Sequence, residues 1–412
     1  MVTNPGARSG RRSDGARVTP GAASRPALDP WSQIAGGMAI HAVTPRPEVG
    51  LTPNVVIHTQ DKLQVRYYAP APQSQPSSIG GTPSDAPRHP IVLVPSLINR
   101  AYILDLEPGR SLCAALAGMG HAVYLVDWGV PGPEDADEGV GYVVDELLPR
   151  AIDRAVRHCA RSHAGGTPAN PAGALVLGYC MGGVVAAVCL ARMAAGRPGP
   201  AGAPGGASTA IAGFIALNTP VSFAHAGRFR DLVAPEHLDV DRDLPRLFDA
   251  DGLVPVNVMK PAFNLLDPVG SITKYRAVHA AAEDRDALAR VLARERWLEE
   301  NVPMPGRFAR EFIAATYQKD QLLTGEWVLD GLGIDLRQIT APTLIVSCSG
   351  DFICPPEAAT PLAAALGSTD VETHTLKCGH IGVVVGSEGP RTFYPLVDRW
   401  ARRVGGVPGR TP

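Results

Sequence analysis

The sequence carries almost no net charge: 38 Lys and Arg against 40 Asp and Glu leave a formal −2 over 412 residues. A general nucleic-acid binder presents a basic face, so this balance speaks against that class. No apolar run approaches the roughly 20 residues of a bilayer-crossing helix, and no membrane span is expected. The N-terminus lacks the apolar core of a secretory signal, which places the expected location in the cytoplasm. Cysteines are few and odd in number. Cys113, Cys159, Cys180, Cys189, Cys348, Cys354 and Cys378 show no framework spacing, which favours reduced thiols over disulfides. Cys378-Gly379-His380 with Cys348 and Cys354 nearby can be read as a metal cluster, but zinc-ligand spacing is missing and no metal is expected. What remains, 45% apolar and 19% charged residues, is the composition of an ordinary globular protein long enough to bury a large core.

Against that background one stretch is informative. The apolar run Ala174-Leu175-Val176-Leu177 leads into Gly178-Tyr179-Cys180-Met181-Gly182-Gly183, which leads into Val184 to Met193. A buried strand, a glycine-flanked nucleophile and an apolar helix, in that order, form the strand-turn-helix of an α/β-hydrolase nucleophile elbow, with sulfur in the place of a serine oxygen. So sharp a turn strains the backbone of the nucleophile, and side chains two residues to either side would meet the neighbouring strand and helix. Gly178 and Gly182 meet that need. The turn also sets the sulfur at a helix N-terminus, where free amides and the helix dipole favour thiolate. With 44 glycines and seven cysteines, chance yields only ~0.08 Gly-x-Cys-x-Gly motifs in such a chain, and the flanking elements lower that further.

Residues 1 to about 50 are rich in Gly, Pro, Ser, Ala and Arg, with almost no apolar periodicity, and are expected to form a disordered tail. Similar compositions at Pro70 to His89, Gly165 to Pro171 and Gly196 to Ser208 read as loops. Asn54 to Tyr68 reads as a hairpin. Further strands are expected at Ile91 to Val94, Ala122 to Val126, Ala174 to Leu177, Phe214 to Leu217, Thr343 to Val346 and Val371 to Leu376. Helical stretches separate most of them, which implies a mostly parallel sheet with right-handed crossovers. The fold class is therefore α/β, an α/β-hydrolase core made of residues 51–220 and 331–405. Residues 221–330 break the alternation. Leu288, Val291, Leu292 and Leu298 recur there at helical spacing among charges, so this segment is expected to be a helical lid or cap inserted between two late strands.

A thiol nucleophile needs a base in hydrogen-bond reach and a carboxylate to orient that base, and in this fold they follow in the order acid, then histidine. Asp351 directly follows one predicted strand, in Ser349-Gly350-Asp351-Phe352. His380 directly follows the last, in Cys378-Gly379-His380-Ile381. Asp351 could instead cap the helix near Pro355, and His380 could merely fill a turn. Asp127, in Val126-Asp127-Trp128-Gly129, is a rival acid but precedes the nucleophile. His121, His158 and His279 lack such a context. The oxyanion hole is expected from the backbone amide of Met181 and from that of Ser96 or Leu97, in the loop after the first parallel strand.

These residues resemble the catalytic subunit of polyhydroxyalkanoate synthases, closest to the short class III type. The resemblance rests on Val94-Pro95-Ser96-Leu97-Ile98-Asn99-Arg100 running into Tyr102 to Leu106, on Tyr124 to Gly129, on the cysteine elbow, on Gly350-Asp351 with Pro355-Pro356, and on Gly379-His380. It spans about 54–402. It implies that Cys180 carries the acyl chain as a thioester, with His380 as the base and Asp351 as the third member. It implies a hydroxyacyl-CoA substrate, a growing polymer, no cofactor, an accessory synthase subunit, a homo-oligomer and a place at the polymer granule surface. The chain departs from many members at Phe352, where they carry His, and in its longer loops at 70–89 and 196–208. Thioester exchange between CoA and Cys180 is near thermoneutral and keeps the acyl group activated, which by itself favours a synthase. The alternatives are a cysteine hydrolase of the dienelactone or esterase type, with water as acceptor, and a non-catalytic granule-associated protein.

Overall fold

Eight short runs rich in Val, Ile, Leu and Thr become the strands of one sheet. They are β1 (Val55–Gln60), β2 (Leu63–Tyr68), β3 (Ile91–Val94), β4 (Val123–Asp127), β5 (Ala174–Tyr179), β6 (Ile211–Leu217), β7 (Thr343–Cys348) and β8 (Val371–Leu376). The computed structural model describes residues 29–71, 89–162, 173–196 and 210–406. The strands lie side by side in the order β1-β2-β4-β3-β5-β6-β7-β8. β2 is antiparallel to both its neighbours, β1 and β4, and every other pairing is parallel. The β1–β2 hairpin closes through Asp61, which takes the left-handed φ of 51° that a short polar side chain tolerates.

β3, β5 and β7 are buried along their whole length, as strands covered on both faces must be. Alternate residues feed two cores. Val92, Tyr124 and Val176 point to one face, and Ile91, Val123 and Leu175 to the other. Among the described residues the α-helices of seven or more residues are, in chain order, α1 (Pro30–Val43), α2 (Leu112–Gly118), α3 (Leu148–Ser162), α4 (Met181–Ala194), α5 (Val256–Leu266), α6 (Pro268–Ala280), α7 (Arg285–Glu299), α8 (Gly306–Ile313) and α9 (Tyr394–Val404). α3 and α4 cover the first face, and α2 and α9 the second. α4 is apolar on all sides and correspondingly buried. Its one charge, Arg192, is held by the Asp145 carboxylate through two bonds of 2.7 and 2.6 Å.

Between β6 and β7 the chain leaves the sheet and builds α5 to α8, of which α5 and α8 line one cavity with Cys180 at the C-terminal end of β5. Asp320 closes this insertion on itself by accepting from the Phe223 and Ala224 amides at 2.6 and 3.2 Å. Phe223 and Phe229 each meet the Tyr317 ring edge-on at 4.8 Å between centroids. The cap roof is thus an aromatic cluster.

The expectation of a disordered tail through residue 50 is corrected by α1. Asp29 caps it, accepting from the Trp31 and Ser32 amides at 3.0 and 3.1 Å, and Pro30 occupies the first turn. Gly36-Gly37, whose composition reads as disorder, serves close helix packing: a Cβ on Gly37 would lie 1.8 Å from the Tyr275 carbonyl oxygen of α6. Arg46 and Arg296 extend the attachment, to Glu299 at 2.9 Å and to the Pro47 carbonyl at 2.8 Å. Residues 1–28 of the expected tail, and most of the expected loops at 70–89, 165–171 and 196–208, lie outside the described residues. Among the described residues no helix is long and apolar enough to cross a membrane.

Candidate active site

Cys180 stands between β5 and α4 with φ 57° and ψ −128°, a strained backbone for a residue with a Cβ. The glycines around it are explained by contact. A Cβ on Gly178 would lie 2.4 Å from the Gly183 Cα, and one on Gly182 would lie 2.3 Å from both the Val94 and Pro95 carbonyl oxygens. The Cys180 amide donates to the Leu217 carbonyl at 3.0 Å, which pins the turn to β6. Met181 opens α4, so its N–H has no acceptor within the helix.

Asp351 and His380 meet here. His380 Nδ1 donates to Asp351 Oδ2 at 2.6 Å, while Asp351 Oδ1 accepts from the Ile353 and Cys354 amides at 2.9 Å each. One carboxylate therefore both shapes its own turn and orients the ring. Both residues are buried, and the Cys180 thiol lies near enough to the imidazole to act on its charge. Burial alone would depress the His380 pKa. The negative charge on Cys180 and the bonds to Asp351 and Cys180 outweigh it, and the group is pushed up to about 10.

Two residues that sequence reasoning missed hold the histidine from behind. The Tyr179 hydroxyl and Asn218 Nδ2 each donate to the His380 carbonyl at 3.1 Å. The Tyr179 ring also lies 5.3 Å from the imidazole centroid. Tyr179 adjoins Cys180 in sequence, but nothing local marks Asn218, which takes a left-handed φ of 44° after β6. Ser96 and Leu97 lie in the turn against which Gly182 packs, and Trp128 Nε1 fixes that turn by donating to the Pro95 carbonyl at 2.9 Å. Ser96 is buried, with no partner for its hydroxyl among the described residues.

The rival candidates have other occupations. Asp127 accepts from Arg66 Nε at 3.0 Å and from the Gly129 amide at 3.2 Å. His121 bonds Asp398 at 2.7 Å, and His158 bonds the Tyr124 hydroxyl at 3.0 Å. His279 lies against Gly36 in the α1–α6 contact. Among the described residues no group of three or more His, Cys, Asp or Glu is placed to hold a metal. Above the sulfur lies a cavity of about 320 Å³ whose walls come from core and cap together. Ile98 and Met181 form its floor, and Phe229, Met259, Phe312 and Tyr317 line it from the cap side. It is almost wholly apolar.

A strained cysteine after β5, an aspartate after β7 and a histidine after β8, on a sheet of this order, define an α/β-hydrolase fold with a thiol at the elbow. The same fold occurs in a soluble variant of monoglyceride lipase from Saccharomyces cerevisiae, solved with a substrate analog, at a TM-score of 0.51 and 14% identity over 88% of this chain and 97% of that one. No family model matches the chain. Curated relatives place it more narrowly. It is 30% identical to the poly(3-hydroxyalkanoate) polymerase subunit PhaC of Haloferax mediterranei over 85% of this chain and 64% of that protein. It is 29% identical to the PhaC subunit of Haloarcula marismortui over 86% and 68%, and 28% identical to that of Allochromatium vinosum over 86% and 89%. Over most of its length the chain is thus similar to poly(3-hydroxyalkanoate) polymerase PhaC subunits. It spans just under two thirds of the length of the Haloferax relative.

Proposed function

We propose that this chain is an acyltransferase that polymerises (R)-3-hydroxyacyl-CoA into polyhydroxyalkanoate and releases CoA, through a thioester on Cys180. The observation that carries the reading is Cys180 on the wall of an apolar cavity with the His380–Asp351 pair beside it, in a chain similar to PhaC subunits. The Cys180 thiolate attacks the substrate thioester carbonyl. The Met181 amide, with that of Ser96 or Leu97, stabilises the oxyanion, and CoA departs with the proton held by His380. His380 then accepts the proton of an incoming 3-hydroxyl, whose oxygen attacks the Cys180 thioester and lengthens the chain by one ester. Asp351 keeps the Nδ1 proton in place so that Nε2 serves the sulfur and the hydroxyl in turn.

The CoA thioester is the substrate, and this chemistry calls on no cofactor. The cap excludes the water that would otherwise hydrolyse the thioester. An accessory synthase subunit, a homo-oligomer and residence at the granule surface belong to the same proposal. The test supplies purified protein with 3-hydroxybutyryl-CoA, with and without a candidate accessory subunit, and follows CoA release and turbidity. CoA release with insoluble polyester is expected. CoA release matched mole for mole by free 3-hydroxybutyrate would make the protein a hydrolase.

A further inference from the structure

Cys348 and Cys378 lie with their sulfurs 3.3 Å apart beside the acid and the histidine, and the proposed mechanism uses neither. Cys348 is the last residue of β7, and Cys378 lies between the end of β8 and His380. Their juxtaposition is built into the backbone. The Ser349 amide donates to the Leu376 carbonyl at 2.9 Å, the Cys378 amide to the same carbonyl at 3.1 Å, and the Gly350 amide to the Cys378 carbonyl at 3.0 Å. A Cβ on Gly350 would stand only 3.0 Å from that last oxygen, so the two loops run at the closest approach glycine permits.

We propose that Cys348 and Cys378 are an oxidation site: a dithiol that a small disulfide of the glutathione class converts to an intramolecular disulfide, slowing acylation of Cys180. The bond requires the sulfurs to close from 3.3 Å to about 2.05 Å, little more than half an ångström each. Only Cys180 and Cys378 of the seven thiols are not buried, so reagent reaches the pair through Cys378. The hydrogen bond from Cys348 lowers the Cys378 pKa and makes it the attacking thiolate, while that same bond and burial raise the pKa of Cys348. Cys378 sulfur attacks one sulfur of the small disulfide and expels a thiolate, giving a mixed disulfide. Cys348 then loses its proton, attacks Cys378 sulfur and expels the second thiolate. The two cysteines lose two electrons and two protons, and one small disulfide becomes two small thiols.

The consequence for the site follows from connectivity. Closing the pair draws the Cys378 loop toward β7, two residues before a histidine whose carbonyl Tyr179 and Asn218 hold in place. A shift of this size at a catalytic base costs on the order of tenfold to a hundredfold in rate.

The first measurement does not depend on the proposed function. The Cys180→Ala protein is incubated with oxidised glutathione and digested with trypsin, which separates the two cysteines at Lys377. A cross-linked pair of peptides, split by reductant, is expected. Glutathione on Cys378 with Cys348 left free would overturn the site. The second measurement rests on the polymerase reading and compares single-turnover acylation by 3-hydroxybutyryl-CoA in the unaltered protein and in Cys378→Ser. The unaltered protein should lose roughly tenfold or more on oxidation and recover with dithiothreitol, while Cys378→Ser keeps most of its rate. Equal loss in both would assign the inactivation to Cys180 itself and end the claim of control. Absence of acylation in the reduced protein would sink the polymerase reading and leave the peptide map to decide on the pair.

Discussion

Replacing Gly182 by Ala probes the elbow without touching any reacting group. The new Cβ would lie 2.3 Å from the carbonyl oxygens of Val94 and Pro95, where ordinary contact begins at 3.4 Å, so the backbone must open by about 1.1 Å. Overpacking of this kind costs about 1–3 kcal/mol of stability. The opening falls between α4, whose first amide is Met181, and the turn carrying Ser96 and Leu97, so it widens the proposed oxyanion hole. A misplacement of about 1 Å costs on the order of a hundredfold in rate, or roughly 2.7 kcal/mol of barrier. Acylation of Cys180 should therefore fall by about that factor, while alkylation by a small neutral electrophile, which needs no oxyanion hole, falls far less. Gly118→Ala is the control, because nothing lies within 4 Å of a Cβ there. Single-turnover CoA release and a thermal melt report on both variants. Gly182→Ala with the acylation rate and melting temperature of the unaltered protein would refute the account of the elbow.

Further expectations concern the histidine, its acid and the N-terminal helix. His380→Gln should abolish acyl loading, whereas Asp351→Asn should spare part of it and mainly impair chain growth; equal, complete loss of loading in both would remove that division of labour. The His380 pKa, about 10, is raised chiefly by Cys180, so its imidazolium persists through neutral pH and is lost only as pH climbs toward that value. In Cys180→Ala the largest raising influence is gone while burial still disfavours the charge, and the pKa should drop. A proton NMR titration of the His380 ring showing the same midpoint in both proteins would contradict this. Gly37→Val cannot keep α1 against Tyr275, so cleavage within residues 29–50 by a dilute protease should accelerate while the sheet core melts nearly unchanged. Unaltered cleavage would mean that the close helix contact is not what holds the segment.

The sequence by itself determined the local frame of the site. Alternating and continuous apolar runs mark the strands, Gly178 and Gly182 mark a turn only small residues can make, and Cys180, Asp351 and His380 each sit directly after a strand. These are short-range properties, set by backbone sterics and by side-chain period, and they survive without knowledge of the neighbours. Tertiary structure decided the rest. Gly36-Gly37 looks like loop composition until Tyr275 of α6 is found against it, because helix α1 takes its stability from that contact and not from propensity. Asn218 reaches the His380 carbonyl across 162 positions, and Cys348 meets Cys378 across 30. Which apolar side chains of the cap close over the sulfur is likewise a matter of packing, since their helical spacing announces a buried face but not what it covers. Such contacts depend on the parallel register of β7 and β8 and on where the cap settles, and both are fixed only when distant segments are brought together.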